Sequence, residues 1–288
     1  MRLRTLPLSL AGVIMGVFLS ASYGSIDWIA VLLLILTTIS LQVLCNLSNE
    51  LGDALHGTDT DERQGMKYSL MDGYLTVSDM KKLISGAVAV SSVFGVLMIW
   101  RSFSSLLTPA ALIFVCLGAI AIWAAMHYTL GNNPYGYRGL GDISVLIFFG
   151  FATVIGGFYL CAHSMYWNVL LPALSIGSFS VGVLNVNNLR DMKTDIATRT
   201  TVAIKLGARR TRIYQTILIV LGWLCMTAYC IVRPITPWQY LYFLTLPLFC
   251  IHLRGVWRFS DSELDPMLPL LVISSFLFSL LAGVGIMM

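Results

Sequence analysis

The chain has 288 residues, 57% of them hydrophobic and only 11% charged. A soluble globular domain carries charge on about a quarter of its residues, so these proportions exclude one and indicate an integral membrane protein. The net charge of +4 is modest, and no basic stretch interleaved with aromatics offers a single-strand platform, so no nucleic-acid partner is expected.

A helix needs about 20 apolar residues to cross roughly 30 Å of hydrocarbon. Uncharged runs near that length occur at about 6–24, 27–46, 83–100, 106–127, 143–162, 167–186, 213–232, 238–252 and 267–287. The first follows Arg2 and Arg4 and leads straight into a second span, so it reads as a retained helix rather than a cleaved signal. The eighth is the shortest. The expected class is therefore all-α and polytopic, with nine transmembrane helices forming one domain over residues 1–288.

With a cytoplasmic N-terminus, the loops near 47–82, 128–142, 187–212 and 253–266 share that side. Together with the N-terminus they hold 16 of the 18 Lys and Arg residues, the bias that orients membrane proteins. Of the 14 acidic residues only Asp27 lies on the other face. Chemistry is accordingly expected at the cytoplasmic surface, in acidic segments at 46–67 and 185–201.

The second span runs out into CNLSNELGDALHGTDTDERQG, where Asn46, Asn49, Glu50 and Asp53 fall at helical spacings. If the helix continues, they share a face. Asp59, Asp61 and Glu62 follow Gly57. The next internal stretch, GNNPYGYRGLGD, has the Gly and Pro content of a structured loop. The sixth span ends in NVNNLRDMKTDIATRTT, with Asp191 and Asp195 one helical turn apart. The pattern Asn-x-Leu-x-Asp thus occurs twice, at 49–53 and 187–191, each time at the end of an even-numbered span. Two four-helix units plus one helix would produce that repeat.

Carboxylates so closely spaced at a membrane boundary repel unless a cation neutralises them. Carboxylate and amide oxygens suit Mg²⁺, which completes its shell with water and substrate phosphate. Arg63, Lys67, Arg138, Arg190, Lys193, Arg199 and Lys205 accompany them, as expected if the metal carries a phosphorylated anion. The competing reading is a solvated loop in which acids and bases merely pair. Tyr128, Tyr135 and Tyr137 suit either a diphosphate contact or an interfacial aromatic belt. The four histidines lack paired ligand spacing. The six cysteines form no CxxC and read as small hydrophobes.

The segments RTLPLSLAGVIMG, NLSNELGDALHGTD, HYTLGNNPYGYRGLGDISVLIFFG and VLNVNNLRDMKTD resemble the UbiA superfamily of intramembrane prenyltransferases, nearest to its MenA branch, the 1,4-dihydroxy-2-naphthoate polyprenyltransferases. The resemblance implies a nine-helix fold in which two aspartate-rich motifs hold Mg²⁺ against a prenyl diphosphate. Asn49, Asp53 and Asp59 match the first motif, and Asp191 and Asp195 the second. Asn46 and Asn188 match polar flanks, Tyr128 and Arg138 fall in the loop block, and Arg63 and Lys205 match basic positions near the diphosphate. Glu50 replaces a common Asp, Met66 a frequent Pro, and the usual Gly before Arg199 is missing.

The expected activity is transfer of a polyprenyl chain from its diphosphate to 1,4-dihydroxy-2-naphthoate, giving demethylmenaquinone in the bacterial inner membrane, with membrane lipid as surroundings. Asp53, Asp191 and Asp195 are the expected catalytic carboxylates. Asn49, Glu50 and Asp59 join them as metal ligands. Asn46, Arg63, Lys67, Tyr128, Arg138, Asn188, Arg190, Lys193 and Lys205 are the expected substrate contacts. Two alternatives stand beside this: another acceptor on the same scaffold, 4-hydroxybenzoate or haem, and a cation-coupled transporter. A transporter would place acids inside its spans near the midplane.

Overall fold

In the computed structural model, the described residues are 5–24, 26–57, 70 and 74–288. They form nine apolar helices: α1 (Leu6–Ala21), α2 (Trp28–Leu55), α3 (Val77–Phe103), α4 (Pro109–His127), α5 (Gly141–Ala162), α6 (Trp167–Arg190), α7 (Ala208–Val232), α8 (Pro237–Arg258) and α9 (Asp261–Met287). All but α1 are long and apolar enough to cross a bilayer. The chain is an integral membrane protein, and no strand occurs among the described residues.

Local chemistry sets the helix boundaries. Pro7 lies in the first turn of α1 and Pro109 opens α4, where a missing N–H costs nothing. Thr76 caps α3 through a reciprocal box, its Oγ1 accepting from the Asp79 amide at 3.1 Å while its own amide donates to Asp79 Oδ2 at 3.3 Å. No breaker follows the apolar part of α2, so the helix continues past residue 46 to Leu55. There the His56 ring meets the Gly52 carbonyl at 2.9 Å, and Gly57, at φ +66°, ends it. At its centre α5 widens into π-type turns over Leu146–Gly156.

Contacts divide the chain into two compact units. The first contains 28–141 together with 193–201; the second contains 4–27, 142–192 and 202–288. Leu44, Leu47 and Leu51 of α2 form the core of the first with Met80 and Ile84 of α3, and Ile122 and Met126 of α4 close over them. Gly52 lets α2 approach the segment after α4 very closely: a Cβ there would lie 2.5 Å from the Thr129 side chain and 2.6 Å from its carbonyl oxygen.

In the second unit, small residues bring backbones together, as is usual where lipid provides no hydrophobic drive between helices. A Cβ on Gly16 of α1 would sit 2.6 Å from the Val154 carbonyl of α5, and one on Gly150 of α5 2.8 Å from the Ala173 carbonyl of α6. Phe179, Phe249 and Phe278 pack with Trp223 at centroid distances from 4.7 to 6.0 Å. A fully buried polar chain crosses this apolar core. Asn185 Nδ2 donates to Gln215 Oε1 at 2.9 Å, Gln215 Nε2 meets His252 Nε2 at 3.0 Å, and His252 Nδ1 meets the Met267 carbonyl at 3.0 Å. Four helices, α6 to α9, are tied by these three bonds. At the C-terminal end of α7, Arg233 lies 3.5 Å over the Tyr23 ring and donates to Ser22 Oγ at 2.8 Å and Tyr229 Oη at 3.1 Å.

Candidate active site

The extension of α2 puts Asn46, Glu50 and Asp53 on a buried face, at 3%, 2% and 1% exposure, so the shared face expected from their spacing is present. Asn46 Oδ1 accepts from Gln42 Nε2 at 3.2 Å. Asn49 is half-buried, and Thr129 Oγ1 lies 3.2 Å from its Oδ1 and 2.9 Å from the Ser48 carbonyl. Thr129 therefore fixes both the Asn49 amide and the last turns of the helix.

The glycine-rich loop after α4 folds as the turn chemistry requires. Gly131 and Gly139 take φ of +100° and +80°, and Tyr135–Arg138 form a tight 3₁₀ turn between them. The Gly136 amide donates to the Tyr128 carbonyl at 3.0 Å, and a Cβ on Gly136 would meet that oxygen at 2.5 Å. This turn aims the Tyr137 hydroxyl at Asp53, donating to Oδ1 at 2.8 Å. Tyr128 packs edge-on against Tyr135 and Arg138 is exposed.

The second motif does not continue as one helix. α6 ends at Arg190, Asp191 sits at φ −91°, ψ 8°, and a separate short turn, Met192–Asp195, follows. The regular helical turn expected between Asp191 and Asp195 is therefore interrupted. Both carboxylates are buried, at 2% and 1%, but they belong to different units.

Asp195 lies in the first unit with Asp53, and Arg199 joins them. Arg199 Nη2 donates to Asp195 Oδ1 at 2.7 Å, its Nη1 lies 3.9 Å from Asp53 Oδ1, and its guanidinium stands 5.5 Å over the Tyr137 ring. The Thr200 amide donates to the Tyr137 carbonyl at 2.9 Å, fastening this segment to the loop. Burial works against the Arg199 charge, but the facing charges of Asp53 and Asp195 outweigh it and hold the guanidinium above its usual range.

In the second unit Asp191 has its own arginine. Arg190 Nε and Nη2 grip its two oxygens at 2.7 Å each, Nη1 donates to Asp265 Oδ1 at 2.6 Å, and Nη2 reaches Asn187 Oδ1 at 3.0 Å. Asn188 is buried beside it in sequence, and Lys193 and Lys205 are exposed. Asp59, Arg63 and Lys67 lie outside the described residues.

Sequence reasoning singled out neither Thr129 nor Asp265, and it placed Arg199 only among accompanying bases. Arg199 was visible as an i, i+4 partner of Asp195; nothing local marks the other two.

The donor set suits a divalent cation. Glu50, Asp53 and Asp195 are three buried carboxylates of the first unit, hard oxygen donors, and Arg199 faces the last two. Among the described residues no three acidic, imidazole or thiolate groups converge into a ready-made cage. A cation here would share its shell with substrate oxygen and water.

A sequence model of the UbiA prenyltransferase family matches residues 9–280. The 1,4-dihydroxy-2-naphthoate octaprenyltransferase of Haemophilus influenzae is 38% identical over 99% of this chain and 94% of its own length. The Escherichia coli protein of the same name is 36% identical over 99% and 93%. Among solved structures, the apo form of a UbiA homolog from Aeropyrum pernix K1 superposes with a TM-score of 0.74 at 14% identity, covering 100% of this chain and 98% of that one.

Proposed function

The chain belongs to the UbiA prenyltransferase family, and on that premise we propose that it is a 1,4-dihydroxy-2-naphthoate polyprenyltransferase. It moves a polyprenyl group from its diphosphate to the naphthoate ring, with loss of diphosphate and of the ring carboxylate as CO₂, in the bacterial inner membrane with its acidic segments cytoplasmic. The observation that carries this reading is the 36% and 38% identity, over 99% of the chain, to relatives bearing that name.

A Mg²⁺ ion would be held by Asn49, Glu50, Asp53 and Asp195, with Asp59 of the same first motif; Asp191 is the carboxylate that the second motif offers in the second unit. When bound, such an ion supplies Lewis-acid stabilisation of charge on the departing diphosphate. The protein's own groups do the rest. Tyr137 holds the Asp53 carboxylate in one orientation, and Arg199 keeps Asp53 and Asp195 together despite their like charges. The buried Arg199 Nε lacks an acceptor among the described residues, which suits it to a diphosphate oxygen. Arg63, Lys67, Arg138 and Lys193 would add positive charge for the same anion, with Asn46 and Tyr128 as polar neighbours. Bond cleavage leaves an allylic cation that the electron-rich ring attacks, and the apolar helices exclude water that would quench it.

The test is a detergent-solubilised preparation given the naphthoate, a set of prenyl diphosphates and Mg²⁺, with prenylated product and diphosphate both measured. Asp53→Ala and Asp191→Ala should each lower turnover by roughly 10²–10³-fold while the protein stays folded. Full Mg²⁺-dependent turnover by both variants would overturn the metal assignment. Preference for 4-hydroxybenzoate or haem would overturn the acceptor.

A further inference from the structure

The start of α7 lies against the end of α8. Arg212 Nε donates to the Val256 carbonyl at 2.9 Å and its Nη2 to the Phe259 carbonyl at 3.0 Å, while Trp257 Nε1 donates to Thr216 Oγ1 at 3.1 Å. Four more arginines stand at this joint, Arg209 and Arg210 in the first turn of α7 and Arg254 and Arg258 one turn apart at the end of α8. All four are exposed, and none of their guanidiniums bonds to a described residue.

Helical spacing sets the side on which they stand. Arg209 and Arg210 precede Ile213 and Ile217 by three to eight residues and continue that row, whose isoleucines are 43% and 56% exposed. Arg254 and Arg258 follow Ile251, 55% exposed, at spacings of three and seven, and continue its row on α8. In an integral membrane protein such exposed apolar rows face lipid, so the four charges cap two lipid-facing rows. Trp257, half-exposed, ties the two helices at this level, where an indole serves as an interfacial anchor. The bias that orients membrane proteins asks for basic residues at one end of a span, but it does not set them over the lipid-facing rows. It also does not ask for arginines in the first turn of α7, which has no acidic residue and no side-chain cap. Positive charge there opposes the helix dipole until an anion offsets it.

We propose that the joint of α7 and α8 is a binding surface for an anionic phospholipid, whose phosphate takes hydrogen bonds from these arginines and whose acyl chains lie along the Ile213–Ile217 and Ile251 rows. Both halves of the surface are needed to single out this ligand. A free phosphate uses the guanidiniums and leaves the rows unused; a zwitterionic lipid uses the rows and brings no net charge to the guanidiniums. Basic clusters beside a span attract anionic lipid by about fivefold for each residue near the surface. The inference is independent of the reaction the protein catalyses.

The experiment is native mass spectrometry of the full chain in neutral detergent, titrated separately with phosphatidylglycerol, phosphatidylcholine and glycerol 3-phosphate, with a dissociation constant taken from the first molecule bound. Phosphatidylglycerol should bind at least about tenfold more tightly than phosphatidylcholine. Arg254→Gln with Arg258→Gln should weaken phosphatidylglycerol about 5- to 25-fold and change phosphatidylcholine less than twofold. Arg209→Gln with Arg210→Gln should do the same, and this pair carries the comparison if the first does not fold. Lys81→Gln with Lys82→Gln, which removes two exposed charges from α3 in the first unit, should stay within twofold of the parent.

Equal binding of phosphatidylglycerol and phosphatidylcholine by the parent would overturn the inference, as would phosphatidylglycerol binding within twofold of the parent in both arginine pairs. An equal loss in the lysine pair would reduce the effect to net charge and overturn it too. Glycerol 3-phosphate bound as tightly as phosphatidylglycerol would make the joint a site for small anions, not a lipid surface.

Discussion

Tyr137→Phe removes one oxygen atom from the candidate site and leaves the ring in place. The edge contact with His56, at 5.2 Å between centroids, and the Arg199 stacking at 5.5 Å both survive. What is lost is the 2.8 Å bond to Asp53 Oδ1. A hydrogen bond to a charged acceptor contributes about 1.5–3 kcal/mol, which at tenfold per 1.36 kcal/mol is roughly 10- to 150-fold. If the hydroxyl orients Asp53 for a metal, that loss appears as a higher Mg²⁺ requirement. Its size should fall near the roughly 10- to 100-fold seen when the partners of metal ligands are removed. Turnover should be titrated with Mg²⁺ at saturating prenyl diphosphate and naphthoate, with thermal midpoints recorded alongside. The half-saturating Mg²⁺ concentration should rise at least tenfold, and activity at saturating Mg²⁺ should recover to within a few-fold of the parent. An unchanged Mg²⁺ dependence would refute the role given to Tyr137, and a loss that excess Mg²⁺ cannot restore would assign the hydroxyl to the substrate instead.

Gly52→Ala forces a Cβ against the Thr129 side chain at 2.5 Å and its carbonyl at 2.6 Å; overpacking of this kind costs about 1–3 kcal/mol. The thermal midpoint should fall, and pairing it with Thr129→Gly should recover only part, because the carbonyl contact remains. Arg233→Met breaks the bonds to Ser22 and Tyr229 and the stacking on Tyr23. Denaturation should show a loss of about 1–3 kcal/mol, with turnover per folded molecule unchanged because Arg233 bonds to none of the site residues. His252→Phe strands the Gln215 amide and the Met267 carbonyl inside an apolar core, costing about 1–3 kcal/mol for each buried group. A midpoint within 1 °C of the parent would contradict the described network.

The helices were legible because each is a long apolar run, and lipid allows few other ways to satisfy a backbone. The extension of α2 was also legible, since Asn46, Glu50 and Asp53 keep helical spacing and nothing before Gly57 interrupts them. The break at Asp191 was not. Asn-Asn-Leu-Arg-Asp-Met-Lys reads as helix by local preference, and at the break Arg190 grips Asp191 and reaches Asp265, 75 positions away. Tyr137 could be located in a turn from its glycines, but which carboxylate it would face depends on Gly52 allowing α2 within reach of Thr129. Contacts of that kind leave no trace at short sequence range.

The polar chain through α6, α7, α8 and α9 fixes positions of hydrogens as well as of helices. A carbonyl can only accept, so the bond to Met267 puts the ring proton of His252 on Nδ1, and Nε2 must then receive. Gln215 is thereby obliged to turn its nitrogen to the ring and its oxygen to Asn185, whose nitrogen completes the sequence. Each donor has one direction, and reversing any one of them would set two acceptors or two donors face to face. Gln215→Glu, nearly identical in shape, is for that reason a harsher change than its volume suggests: it offers the imidazole a second acceptor and obliges either the ring or the acid to take up a proton.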